Sequence, residues 1–301
     1  MTTHLPVLAS QAIDLLVRDP DGLYVDGTVG CAAHARLVLE RLSLSGRLWG
    51  FDWDEEMLAC ARATLATDAV RIRLFHAPFS TIGAELARAG TLATGILIDL
   101  GLNSAVLDDP ARGFTYRHPD SPLDLRMDRS RPVTAADVLA SEPEDELEKL
   151  FREFGEVRRP RAVARAITSE RARRPIATAG DLALTLRRAR ALHGGPAELS
   201  RVYQALRYRV NDELDEIDRL LAGVAGWIVP GGRLITISYE SLSDRRIKAL
   251  HRKSGAAGHP APFRLLTSHV IRPGRDEIHA NPRARSAKLR ALERIGEPWQ
   301  A

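Results

Sequence analysis

The first hundred residues alternate between two periodicities, and that alternation constrains the fold more than any single motif. After a helical stretch, "VLASQAIDLLV" (7–17), the apolar run "GLYV" (22–25) leads through "DGTVG" (26–30) into the helical pattern "ARLVLERL" (35–42). "GRLWGFDWD" (46–54) reads as a second strand ending in acids. "DEEMLACARATLA" (54–66) reads as a helix with acids in its first turn, where they complement the positive end of the helix dipole. "VRIRLFHAPFS" (70–80) is a third strand, "IGAELARAG" (82–90) a helix and "ATGILIDLGL" (93–102) a fourth strand. Strands joined through helices must run parallel, so the expected class is α/β with a doubly wound, mostly parallel sheet.

The alternation then stops. From 109 to 211 there are loops and helices but no strand pattern. "TAADVLASEPEDELEKLFREF" (134–154) reads as a loop and an acid-capped helix. "RRPRAVARAITSERARR" (158–174) reads as one strongly basic helix of about five turns. "TAGDLALTLRRARAL" (178–192) is another helix, with Thr178 and Asp181 near its start. "GPAELSRVYQALRYRVNDELDEIDRLLAGVAGWI" (195–228) is one long amphipathic stretch. The strand pattern returns at "PGGRLITISYES" (230–241), and the C-terminal "RPGRDEIHANPRARSAKLR" (272–290) reads as a loop and a helix. The expected organisation is a Rossmann-like core, residues 1–108 and 212–301, carrying an inserted helical domain at 109–211.

An open α/β sheet binds its ligand beyond the carboxyl ends of its strands. Three acids fall there: Asp26, Asp52 and Asp99. Asp52 lies 22 residues beyond Gly30, a spacing that suits a carboxylate accepting hydrogen bonds from ribose hydroxyls. NAD and S-adenosylmethionine both carry such a ribose, and the loop separates them. A dinucleotide needs G-x-G-x-x-G so that bare backbone can approach the pyrophosphate. Here only Gly27 and Gly30 remain, followed by Cys31, Ala32 and Ala33. S-adenosylmethionine carries no phosphate and asks less of the loop. The competing reading is that the three acids only cap helices. If one of residues 31–33 adopts a left-handed backbone, a non-glycine there costs roughly 1–2 kcal/mol; if the loop takes another path, nothing is lost.

Composition bears on partners and compartment. Net charge is only +4, but nearly all of the 43 basic residues are arginine, which pairs bidentately with phosphate. Nucleic acid is one explanation and a GC-rich genome the other. Two cysteines are too few for a disulfide scaffold, which implies a reducing cytoplasm; Cys31 and Cys60 read as small buried residues rather than nucleophiles. No apolar run approaches the ~20 residues that span a bilayer, and "MTTHLPVLASQ" lacks the regions of a signal peptide. The nine histidines show no metal-ligand spacing, so no metal is expected.

Three stretches carry a family likeness: "LDDPARGFTYRHPDSPLDLRMD" (107–128), "YQALRYRVNDEL" (203–214) and "NPRARSAKLR" (281–290). With "HLPVL" (4–8) they span nearly the whole chain, which resembles the bacterial ribosomal RNA small subunit methyltransferase H family. The resemblance implies a class I S-adenosylmethionine-dependent methyltransferase core with a helical inserted domain for substrate recognition. It implies N4-methylation of a cytosine in small-subunit (16S) rRNA in the cytoplasm, on the RNA or the small ribosomal subunit, with a homodimer left open. The family's cofactor contacts fall on Gly30, Ala32, Ala33, His34, Asp52, Phe79 and Asp99. The chain departs from the pattern in its loop, where the family has a run of glycines before the histidine and this chain has "GCAAH". It departs also at Asn103, in place of a serine, at Val106, in place of a glutamine, and at Glu240, in place of a histidine in "SYESLSDR". The alternative is therefore a divergent paralogue with another acceptor or a non-catalytic RNA-binding role.

N4 of cytosine is a poor nucleophile because its lone pair is delocalised into the ring. An acceptor beside the amino group localises that pair and takes the proton. Asp99 is the expected catalytic acceptor, with Asn103 as helper; the other reading gives Asp99 to the cofactor alone. Phe114, Tyr116 and Tyr239 are candidates to stack the unpaired base, or else core residues. The arginines of 158–174 and the C-terminal basic stretch are candidate phosphate contacts.

Overall fold

A computed structural model describes residues 6–192, 195–255 and 262–296; His4 and Leu5 of "HLPVL" lie outside the described residues. The chain divides into two units, residues 1–101 with 214–301, and residues 102–213.

The first unit opens with α1(Ala9–Leu16), β1(Leu23–Asp26), α2(Ala33–Leu39), β2(Arg47–Asp52), α3(Glu55–Thr64), β3(Ile72–His76), α4(Ile82–Arg88) and β4(Ala93–Asp99). In the second unit follow α5(Ser104–Asp108), α6(Ala135–Ser141), α7(Glu144–Glu153), α8(Pro160–Arg171), α9(Ala179–Arg188) and α10(Pro196–Asn211). The chain returns through α11(Glu213–Gly223) to β5(Ile228–Ser238), α12(Ser241–Gly255), β6(Phe263–Leu265), α13(Arg275–Ala280) and β7(Lys288–Arg294). The sheet order is β3-β2-β1-β4-β5-β7-β6. β1 to β5 are parallel, and β7 runs antiparallel between β5 and β6. This is a doubly wound, mostly parallel sheet with one antiparallel strand inserted near its edge, interrupted in sequence by a helical unit. Ile96, Leu97 and Ile98 of β4 are wholly buried, because helices cover both faces of a central parallel strand.

Three elements differ from the sequence-based expectation, and β5 starts at Ile228, two residues before "PGG". "KLRALER", whose first half had read as part of a helix, is β7. It lies between two strands, so six of its seven residues are buried, Arg290, Glu293 and Arg294 among them. Those charges are matched in place: Arg290 and Lys288 hold Asp244, and Glu293 takes Arg233 and Arg264. Pairing on both edges overrides the helical propensity of the stretch. "PGG" lies inside β5, where the pairing with β4 shifts register between Ala93 and Gly95. "TAADVLASEPEDELEKLFREF" forms two helices, because Pro143 holds Glu142 extended between them. The long stretch 195–228 breaks at Asp212, which is left-handed at φ 53. The cause is Asn211, fully buried, whose side chain accepts from Met127 N–H (2.7 Å) and donates to the Leu125 carbonyl (2.8 Å). Thr178 and Asp181 form a capping box at the start of α9.

Candidate functional site

β1 and β4 are neighbours from which the sheet order runs outward in opposite directions, so their carboxyl ends form the topological switch point. Asp26 ends β1, Asp99 ends β4 and Asp52 ends β2. The three acids therefore converge at one edge of the sheet.

Each carboxylate is held by backbone N–H groups. Asp26 Oδ1 accepts from Thr28 N–H at 3.1 Å. Asp52 Oδ2 accepts from Gly30 N–H at 2.8 Å, and Oδ1 from Asp54 N–H at 3.0 Å. Asp99 Oδ1 accepts from Gly101 N–H at 3.2 Å, and Oδ2 from the Tyr239 hydroxyl at 3.4 Å. The Asp99 N–H donates to Thr28 Oγ1 at 2.8 Å, which ties β4 to the loop after β1. Burial pushes the Asp26 and Asp52 carboxyls up to about 6, only partly opposed by His34 at Asp26 and by these N–H donors. Burial, with the neighbouring Asp99, pushes the Tyr239 hydroxyl well above its ordinary value, so it remains a donor. Tyr239, a stacking candidate by sequence, is thus a partner of Asp99, and Thr28 joins the site with no sequence signal of its own.

The loop from 27 to 34 is shaped by two left-handed residues. Gly30 has φ 50, a conformation glycine takes without cost. Ala32 has φ 69 and is fully buried. It precedes α2, whose first residue is Ala33. His34, on the first turn of α2, is buried; its Nε2 donates to the Val7 carbonyl at 3.1 Å, which turns Nδ1 toward Asp99 Oδ2 at 3.9 Å. Cys31 and Cys60 are joined in a disulfide, which corrects their reading as merely small buried residues. Phe79 is buried in the turn after β3, and its ring meets Trp53 at 6.5 Å, tilted. Trp53 was not among the residues expected here, although an aromatic directly after the acid that ends β2 is a signal the chain displays.

Asn103, expected beside Asp99, belongs to the second unit, where its Oδ1 caps α5 by accepting from Ala105 N–H at 2.9 Å. Val106 is buried on the same helix. Phe114 is core in that unit, under the Arg112 guanidinium at 5.9 Å. Tyr116 packs edge-on against Tyr203 at 5.7 Å and bonds Ser200 Oγ at 3.1 Å. The basic stretch is shorter as a helix than expected, 12 residues, with the remaining arginines flanking it. Arg158, Arg159, Arg161, Arg165 and Arg173 are exposed. Arg171 holds the carbonyls of Leu139 and Glu142, and Arg174 pairs with Glu170 and Asp181. No described helix is long and apolar enough to cross a membrane.

The MraW methylase family matches residues 1–295. The chain belongs to that family. It is 43% identical over 304 residues to "Ribosomal RNA small subunit methyltransferase H" of Methylibium petroleiphilum, covering 97% of this chain and 95% of that one. It is 40% identical over 311 residues to the protein of the same name from Chromobacterium violaceum, covering 99% and 97%. The Azoarcus protein of that name is 41% identical over 307 residues, covering 97% of each chain. This MraW methylase is an S-adenosylmethionine-dependent methyltransferase. The site fits that donor. Asp26 and Asp52, buried and with carboxyls pushed up to about 6, would be complemented by a ligand that brings hydroxyl donors and positive charge.

Proposed function

We propose that this MraW methylase methylates N4 of a cytosine in small-subunit rRNA, as free RNA or in the small ribosomal subunit, in the cytoplasm. The observation that carries the reading is the convergence of Asp26, Asp52 and Asp99 at the switch point, with Asp99 held at both oxygens. S-adenosylmethionine, when bound, supplies an electrophilic methyl on a sulfonium. Asp52 accepts the ribose hydroxyls, Gly30, Ala33, His34 and Phe79 meet the cofactor, and Ala32, fully buried, shapes the loop behind them. Asp99 receives the amino group of the extruded base. The Gly101 N–H and Tyr239 hydroxyl fix its carboxylate plane, and the carboxylate accepts an N4 proton and so localises the nitrogen lone pair. Attack then needs only in-line placement at ~3–3.5 Å, and positioning of this kind supplies much of the rate. Residues 102–213 recognise the RNA through the exposed arginines around α8.

The test is transfer of a labelled methyl group to small-subunit rRNA and to small subunits lacking the modification. Wild-type protein transfers to at least one of them. Asp99→Ala lowers transfer by about 100-fold or more, the range for loss of a general base, while RNA binding persists. Transfer that survives Asp99→Ala would remove Asp99 from the chemistry. Wild-type protein that binds cofactor and RNA yet transfers to neither substrate would overturn the reading.

A further inference from the structure

We propose that Cys31 and Cys60 are a reversible thiol–disulfide modification site that sets the cofactor loop, taking a low-molecular-weight disulfide as its oxidant. This rests on the reading that residues 30–34 hold the cofactor.

The placement of the pair carries the inference. Cys31 stands between Gly30, whose N–H holds Asp52, and Ala32, the left-handed alanine. Cys60 stands on α3, the helix that Asp54 caps two residues after Asp52. The bond therefore joins the two segments that flank the Asp52 carboxylate. The Cα atoms are 5.0 Å apart, well within the range that a disulfide spans without backbone movement. Both cysteines are half-buried, within reach of a small thiol, and they are the only two in the chain. Met57 of α3, buried, places its Sδ 3.9 Å from Cys31 Sγ.

The chemistry balances with one equivalent of oxidant. A thiolate at either cysteine, having given its proton to solvent, attacks a sulfur of the small disulfide and expels one thiolate. The second cysteine, deprotonated in turn, attacks the mixed disulfide and expels the other. Two protein thiols are oxidised, one disulfide is reduced to two thiols, and a reducing dithiol reverses the sequence.

The loop explains why oxidation matters here. A left-handed alanine is disfavoured, so without a tether the segment relaxes toward negative φ at residue 32 and draws the Gly30 N–H from Asp52. The disulfide pins residue 31 to α3 and keeps the carboxylate and its N–H donor in register. A run of glycines would need no such tether. The oxidised protein is thus the preorganised binder, and a reducing environment weakens it.

The experiment uses the full chain in two states, prepared with glutathione disulfide or with excess dithiothreitol and verified by thiol alkylation and mass. Calorimetry with S-adenosylmethionine should show at least about fivefold tighter binding in the disulfide state, the low end of site-to-site coupling. Cys60→Ser should bind as the dithiol protein does under both conditions. Amide exchange should quicken at residues 27–36 on reduction, with the core unchanged, which separates loop release from unfolding. Equal or tighter binding in the dithiol state, or failure of the pair to oxidise, overturns the proposal and leaves the cofactor reading standing. Absence of binding in both states overturns both.

Discussion

Asp52 accepts two N–H groups and still lies in surroundings that push its carboxyl up to about 6. A ligand that donates hydroxyls binds the ionised form, so affinity for S-adenosylmethionine should fall as pH drops below about 6. Asp52→Ala should lose ~1.5–3 kcal/mol of binding, the worth of hydrogen bonds to a charged acceptor. Asp52→Asn should flatten the share of the pH dependence that Asp52 carries, with Asp26, also pushed up to about 6, carrying the remainder. Calorimetry across pH 5 to 8 checks all three, and unchanged affinity in the alanine variant would contradict the assignment. Ala32 makes a second residue-scale case. Of Cys31, Ala32 and Ala33, it alone has positive φ. Ala32→Gly should stabilise the protein by about 0.5–1 kcal/mol and bind the cofactor no worse. Ala33→Gly should gain nothing, since residue 33 is helical. Denaturant titration of the two variants distinguishes them.

At the scale of elements, α8 shows what a basic helix does with its charges. Two arginines at its end serve the fold: Arg171 closes off carbonyls of the α6 end, and Arg174, just beyond the helix, pairs with Glu170 and Asp181. Arg158, Arg159 and Arg161 are exposed at its start. Reversing those three to glutamate should weaken RNA binding across sequences. It should also reduce the slope of log K against log salt by up to about 0.9 for each phosphate that an arginine no longer neutralises. Filter binding at several salt concentrations measures the slope. A slope identical to wild type would take RNA off this face of the helix. β7 teaches the opposite lesson about charge: Lys288 and Arg290, which looked like part of a basic patch, are spent on Asp244 of α12.

For the whole molecule, the switch point trades stability for binding. An acid whose folded pKa is raised favours its protonated form in the fold. The associated stability is therefore present at low pH and is lost as pH rises through about 4 to about 6. Asp26, buried and pushed up to about 6, is such an acid. His251, held below its ordinary value mainly by burial and also by Arg290, acts in the opposite sense as pH falls through its range, so wild-type stability alone does not isolate Asp26. The difference between Asp26→Asn and wild type does. Asparagine keeps an acceptor for the Thr28 N–H and removes the charge, so the variant should be more stable at pH 7 by roughly 1–3 kcal/mol, with the gain gone near pH 4. Chemical denaturation at both pH values reads this directly. A gain that persists at pH 4 would mean that packing, not ionisation, is responsible.

What the sequence determined by itself was local in origin. Period-2 and period-3.6 patterns placed β1 to β4 with the helices between them, and β5 after the helical insertion. Parallel crossovers then sent Asp26, Asp52 and Asp99 to one end of the sheet, and the capping residues at 178 and 181 marked a helix start. These signals act between residues at most a few positions apart, so a reader of the chain has every participant in view. The tertiary structure decided whatever depends on a distant partner. Tyr239 meets Asp99 across 140 positions, Arg290 meets Asp244 across 46, and Cys31 meets Cys60 across 29. β7 is a strand because two strands flank it, and α10 stops at Asn211 because Met127 and Leu125 take its side chain. The left-handed turn at Ala32 belongs with these. Alanine does not favour it, and it is kept by a buried contact surface, by Gly30 on Asp52 and by the bond from the neighbouring residue to α3.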